Sequence, residues 1–182
     1  MAREKLSDDV MDKLGMEIAA GVYPVGTTIP TEPEIADAYG VGRSSVREAV
    51  QGLIRLGMVT PTPRRGTVVS DRSKWQTLSA EVLRWVIASE YHSRDLLSAI
   101  VEARRVFEPA AAALVASRAT RLQVIEIETA YAQMEMASER LLQDEVVEAD
   151  RAFHLAILKA TGNPILESFN VAINEILGVL FG

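Results

Sequence analysis

The chain has 182 residues, 48% of them hydrophobic and 24% charged, which is enough to bury one core or two small ones. Cysteine is absent, which excludes a disulfide frame, a thiolate metal site and a cysteine nucleophile, and leaves His92 and His154 as the only imidazoles. The net charge of −6 weighs against nucleic acid contacting the whole surface; no apolar run is long enough to cross a bilayer, and the acidic, polar start does not read as a signal peptide, so the expectation is a cytoplasmic protein with no membrane partner.

Ser7 to Ala20 carries a capping serine, acids in its first turn, apolar residues at Val10, Met11, Leu14 and Ile18, and then Gly21, the pattern of a helix that stops before Val22-Tyr23-Pro24. Thr31-Glu32-Pro33-Glu34 has capping-box spacing and predicts a short helix over Glu34–Tyr39, closed by Gly40. Gly42 or Ser44 can cap a third helix, Arg43–Leu56, with Val46, Val50, Leu53 and Ile54 on one face and Arg43, Ser44, Arg47 and Gln51 on others. Met58–Val69 reads as two short β-rich runs around a turn, with prolines that suit only edge strands and arginines at the tip. From about Leu78 the pattern is helical throughout: Leu78–Ser89, Arg94–Ser117 with a kink at Pro109, Thr120–Ser138, Gln143–Thr161 and Pro164–Leu180.

These elements predict a mainly α protein, with a winged helix-turn-helix over 1–70, a linker over 71–77 and an all-α bundle over 78–182. Charge supports the first part, because Gly42 to Gly66 holds five arginines against one glutamate in an otherwise acidic chain. Trp75 and Trp85 read as packing anchors between linker and bundle. His92, in the polar break Glu90-Tyr91-His92-Ser93, reads as a surface residue.

The first 70 residues resemble the GntR family of bacterial regulators. The resemblance rests on Gly21-Val22-Tyr23-Pro24, Ile29-Pro30-Thr31-Glu32, Gly40-Val41-Gly42-Arg43, Val46-Arg47-Glu48-Ala49-Val50, Leu56-Gly57-Met58-Val59 and Arg65-Gly66, in the family's order and spacing. The helical part resembles the FCD (FadR C-terminal-like) subgroup through Glu102-Ala103-Arg104, Phe107-Glu108-Pro109-Ala110, Ala149-Asp150, Phe153-His154 and Thr161-Gly162-Asn163-Pro164. Trp75, Leu78 and Glu81-Val82-Leu83-Arg84-Trp85-Val86 resemble the sugar-acid repressors of that subgroup, its galactonate-responsive branch in particular.

The resemblance implies a DNA-binding regulator, a repressor by expectation and not an enzyme, that acts as a homodimer on near-palindromic operator DNA and is released by a small carboxylate effector such as a sugar acid. It places Arg43 and Arg47 in the major groove as guanine readers or phosphate clamps, Ser44 and Ser45 on phosphates or base edges, and Arg65 and Gly66, with Arg64 assisting, at a wing tip in the minor groove. Pro33 departs from the family by standing where relatives often carry a DNA-contacting arginine.

In the helical part, the stripe Leu97, Ile100, Arg104, Phe107, Ala111, Leu114 is apolar except for Arg104, and the stripe Val146, Val147, Asp150, Phe153, His154, Ile157 is apolar except for Asp150 and His154. Asp150 and His154 stand one turn apart and can converge on one point. The residues alone allow either two ligands of a divalent metal or a buried Arg104–Asp150 ion pair with His154 bonded nearby. The resemblance implies metal ligation (Zn or Ni) by Asp150 and His154 and an effector carboxylate near Arg104. It also implies two further histidine ligands on later helices, which this chain does not carry, so the expectation is a bundle lacking its last helices and a metal site that binds weakly or not at all. Two rivals follow: a truncated, non-responsive partner in mixed dimers, and a metal-dependent helical enzyme, which would need more ligands and a general base.

Overall fold

The computed structural model describes residues 2–89, 93–139 and 143–169. The chain divides into two compact units, Met1–Arg94 and Asp95–Gly182.

The first unit runs α1 (Ala2–Ala19), α2 (Glu32–Tyr39), α3 (Arg43–Arg55), β1 (Val59–Thr62), β2 (Gly66–Val69), a 3-10 turn (Arg72–Lys74) and α4 (Ala80–Ala88). The capping box forms as its spacing requires: the Glu34 carboxylate accepts hydrogen bonds from the Thr31 backbone N–H and hydroxyl, each at 2.7 Å, which fixes the start of α2 at Glu32. Leu14 and Ile18 of α1, Val46 and Leu53 of α3, and Met58, Val59 and Val69 at the hairpin base are fully buried and make the core. That burial follows from the 3.6-residue period of the helices and the inward face of the hairpin.

β1 and β2 pair antiparallel, with Val59 opposite Val69 and Thr62 opposite Gly66. The segment between α1 and α2 adds to β2: the Gly26 N–H donates to Val69 O, the Val69 N–H to Thr27 O and the Ile29 N–H to Thr67 O, at 2.9–3.0 Å. Gly26 has φ 80° and Thr28 alone bridges to Val68, so the segment is an irregular cover of the β2 edge and not a third strand.

α4 packs on α1, and this differs from the predicted boundary at 71–77, which put residues from 78 onward with the bundle. The Trp85 ring lies over Gly15, where an added Cβ would stand 2.5 Å from it, and Trp85 Nε1 donates to Asp12 Oδ1 at 2.9 Å. An amphipathic pattern reveals a buried face but not the surface it is buried against, and here that surface is α1. Trp75 is also an anchor, but to the hairpin base, where its Nε1 donates to Ser70 O at 3.1 Å.

The second unit holds α5 (Ser93–Arg118), α6 (Arg121–Glu139), α7 (Gln143–Ala160) and the short α8 (Pro164–Ser168). α5 continues through Pro109 at the loss of one backbone hydrogen bond. Its core gathers Ala111, Val147 and Leu158, with Phe107, Ile157, Leu166 and Phe169 packed around them and the rings of Phe107 and Phe169 stacked at 5.1 Å. The predicted end of the last helix, its apolar stretch 176–181 and His92 lie outside the described residues.

Candidate nucleic-acid interface

The period of α3 sorts its side chains: Val46, Ala49, Val50 and Leu53 are buried, while Arg43, Ser44, Arg47, Glu48 and Gln51 are exposed. Arg43 and Arg47, four residues apart, therefore stand one above the other on the outer face of a helix whose inner face is locked into the core. α3 begins at Arg43 after Gly42, which has no side chain to cap the first-turn N–H groups.

Ser45 does not join Ser44 among the candidate DNA contacts, because it is only 3% exposed. Four residues before Ala49 and next to Val46, it belongs to the core side of the helix, so its hydroxyl is not presented at the surface with that of Ser44.

The wing supplies the second set of cations. Arg64, Arg65 and Gly66 are all exposed at the turn between β1 and β2. Gly66 has φ 87° and an added Cβ would touch nothing, so glycine is required there by backbone conformation and not by crowding. Arg65 turns back on its own unit, where its Nη2 donates to Gly26 O at 3.1 Å.

In the second unit a polar cluster joins α5 to α7. Arg104 Nε donates to Glu108 Oε1 at 2.7 Å, and Arg104 Nη2 lies 2.6 Å from His154 Nε2. His154 Nδ1 is 3.1 Å from the same Glu108 oxygen, and its Nε2 is 3.3 Å from Asp150 Oδ1. A neutral imidazole carries one proton: placed on Nδ1 it serves Glu108 and leaves Nε2 to accept from Arg104, and placed on Nε2 it serves Asp150. Hydrogen bonding to His154, reinforced by the charges on His154 and Arg104, holds the Asp150 carboxyl below its usual range despite its partial burial.

All three residues expected to act in this part, Arg104, Asp150 and His154, are thus brought together, and neither sequence alternative is complete. Glu108 was missed as a member, although its i,i+4 spacing from Arg104 is the signal that could have found it. A divalent metal does not fit the described arrangement. A guanidinium sits on His154 Nε2, and the two carboxylates face opposite ring nitrogens. Among the described residues no three His, Asp or Glu side chains are placed to hold one ion.

A helix-turn-helix with an arginine-bearing outer face and a paired wing defines a DNA-binding protein, here followed by a helical unit. The comparisons carry this to a family. The model of the bacterial regulatory proteins, gntR family, matches residues 6–69, and that of the FCD domain matches residues 99–181. The chain is 32% identical over 175 residues to the galactonate operon transcriptional repressor of Escherichia coli (strain K12), covering 96% of this chain and 75% of that one. It is 36% identical over 168 residues to the uncharacterized HTH-type transcriptional regulator YieP of the same organism, covering 92% and 73%. Among solved structures, Lar of Listeria monocytogenes aligns with a TM-score of 0.56 at 19% identity, over 96% of this chain and 71% of that one, a likeness of fold.

The chain belongs to the GntR family, in the branch that carries an FCD domain. It is a transcriptional regulator, and both families and these two relatives are regulators and not enzymes. Helix α4 falls between the two matched stretches. No helix among the described residues is long and apolar enough to cross a membrane.

Proposed function

We propose that this regulator represses an operon for the breakdown of a sugar acid or related small carboxylate, binds a near-palindromic operator as a homodimer, and is released when the carboxylate binds. The observation that carries the operator reading is the outer face of α3, where Arg43 and Arg47 stand exposed in register on a helix fixed from behind. In the major groove they serve as guanine readers or phosphate clamps, with Ser44 on the backbone, while the wing follows the adjacent minor groove. The repressing sign and the class of operon are supported by kinship with the galactonate operon repressor.

Arg104 supports the effector reading: it is a partly buried cation bonded to a carboxylate of its own helix. An incoming carboxylate competes with Glu108 for that guanidinium, so the gain is net of an existing charge-assisted bond. Fluorescence anisotropy with a duplex from the DNA immediately upstream of its own gene tests both steps. Expected is tighter binding than to a scrambled duplex of equal length, weakened by one acid in a panel of aldonic acids. Equal affinity for the two duplexes overturns the operator reading; specific binding indifferent to every acid overturns the effector reading. A footprint over a single asymmetric half-site overturns the dimeric one.

A further inference from the structure

The wing carries two neighbouring arginines, and the backbone treats them differently. Thr62 and Gly66 are paired, so Pro63, Arg64 and Arg65 make the whole connection, closed by a hydrogen bond from the Arg65 N–H to Thr62 O at 3.1 Å. Arg64 is the only non-glycine with positive φ among the described residues, at 63°. Proline followed by a residue of positive φ is the type II arrangement, in which glycine or asparagine is the usual third residue. The turn requires that conformation of its third residue, and an arginine there is sterically penalised where glycine is not.

The side chain of Arg65, though exposed, donates from Nη2 to Gly26 O and so links the wing tip to the segment that covers β2. Pro61 and Pro63 stiffen the same strand and turn, since each fixes its own φ. The outcome is a tip held rigid from both sides, with Arg64 exposed on it.

We infer that Arg64, and not Arg65, is the wing's groove-reading residue: it enters the narrow minor groove of A·T-rich sequence flanking the half-site, while Arg65 is a positioning residue that holds the tip. This rests on the operator-binding reading. A narrow minor groove carries an enhanced negative potential that favours a guanidinium, and the exocyclic amino group of guanine obstructs the floor of that groove in G·C pairs. The left-handed backbone at residue 64 is the conformational cost of presenting that guanidinium, in line with the tendency of strained residues to occur at functional positions.

The experiment uses the whole chain and a 30-base-pair duplex recovered on it by selection from a random pool. The duplex is remade with flanks of A·T, G·C or inosine·C, the last having the minor groove of A·T and the major groove of G·C. Expected for the unaltered chain is about tenfold tighter binding with A·T and inosine·C flanks than with G·C. Arg64→Gly should abolish that preference while leaving the melting temperature unchanged or higher, because glycine relieves the backbone. Arg65→Gln should weaken binding to all three duplexes alike and keep the preference. An Arg64→Gly variant that still prefers A·T and inosine·C flanks overturns the inference, as does loss of the preference in Arg65→Gln or its absence in the unaltered chain. Failure of the selection to recover any sequence sinks the operator reading itself, a different outcome.

Discussion

The two units solve the same problem with different materials. In the first, Leu14, Ile18, Val46, Leu53, Met58, Val59, Val69, Leu83 and Trp85 are fully buried, and Arg43, Arg47 and Arg64 stand exposed outside that core. In the second, Leu158 alone among the large described side chains reaches that burial, while Val101, Val106, Leu122, Ile125 and Met136 are each more than 45% exposed. Its helices α5 and α7 share the small core of Ala111, Val147 and Leu158, and the Arg104–Glu108–His154–Asp150 cluster joins them beside it. In the first unit the exposed Arg43 and Arg47 can therefore be altered with little effect on stability. In the second, part of what holds the helices together is the polar cluster that the effector reading sets against a ligand.

The largest expected effect tests the first half of that contrast. Trp85→Ala removes the side chain that fills the α1–α4 contact, at a cost of about 3–5 kcal/mol. Hydrogen exchange should show lost amide protection in α1 and α4 and none in α6 or α7; loss spread over both units would break the division at residue 94. Gly15→Ala drives a Cβ into the same ring and should act on the same segments with roughly 1–3 kcal/mol. Next in size, Arg104→Gln leaves Glu108 and Asp150 partly buried beside His154 without their cation, and should cost roughly 2 kcal/mol, reduced by their partial exposure. A melting temperature unmoved by Arg104→Gln would mean that the cluster does not tie the second unit together.

Much of the first unit was legible in advance, because its signals are local: a capping box, a helical stripe, a proline-bounded turn. Ser45 was misjudged although the signal was present, since counting back from Leu53 and Ala49 in steps of four puts it on the core side. The bonding of Gly26–Ile29 to the β2 edge and the partner of α4 were not legible, as each is defined by a surface distant in sequence. In the second unit the stripes located Arg104, Asp150 and His154, and the spacing of Arg104 to Glu108 was there to be read. The bond from Arg104 to His154 crosses between helices 50 residues apart, and no periodicity reports it.

On the binding side, Arg47→Ala or Arg43→Ala should weaken operator binding by roughly 1–3 kcal/mol and leave stability within about 0.5 kcal/mol, since both side chains are exposed. If the arginine reads a base, discrimination between operator and scrambled duplex falls; if it contacts phosphate, both duplexes weaken alike and the salt dependence becomes shallower. Unchanged affinity in both variants removes α3 from the interface. A large loss of stability in either would erase the distinction drawn between the two units.

The smallest effect concerns a polar tie between α2 and α1. The Tyr39 hydroxyl of α2 donates to Glu17 Oε2 of α1 at 2.8 Å, with Lys13 Nζ 3.9 Å from the ring centre. Burial, then the hydrogen bond to Glu17 and its charge, push the phenol well above its ordinary value of 10.0. A group whose folded value is raised stabilises the fold fully below its unfolded value and loses that contribution as pH rises from there through the folded value. The tie is therefore intact at neutral pH and decays above pH 10. Tyr39→Phe should cost about 1 kcal/mol at pH 7, the net worth of one hydrogen bond. Above pH 10 the unaltered chain should lose stability more steeply than the variant, so their melting temperatures converge; titrations common to both cancel in the difference. Parallel curves would show that the phenol ionises alike folded and unfolded. A cost at pH 7 exceeding that of Arg104→Gln would invert the contrast, making the first unit the one held together by polar contacts.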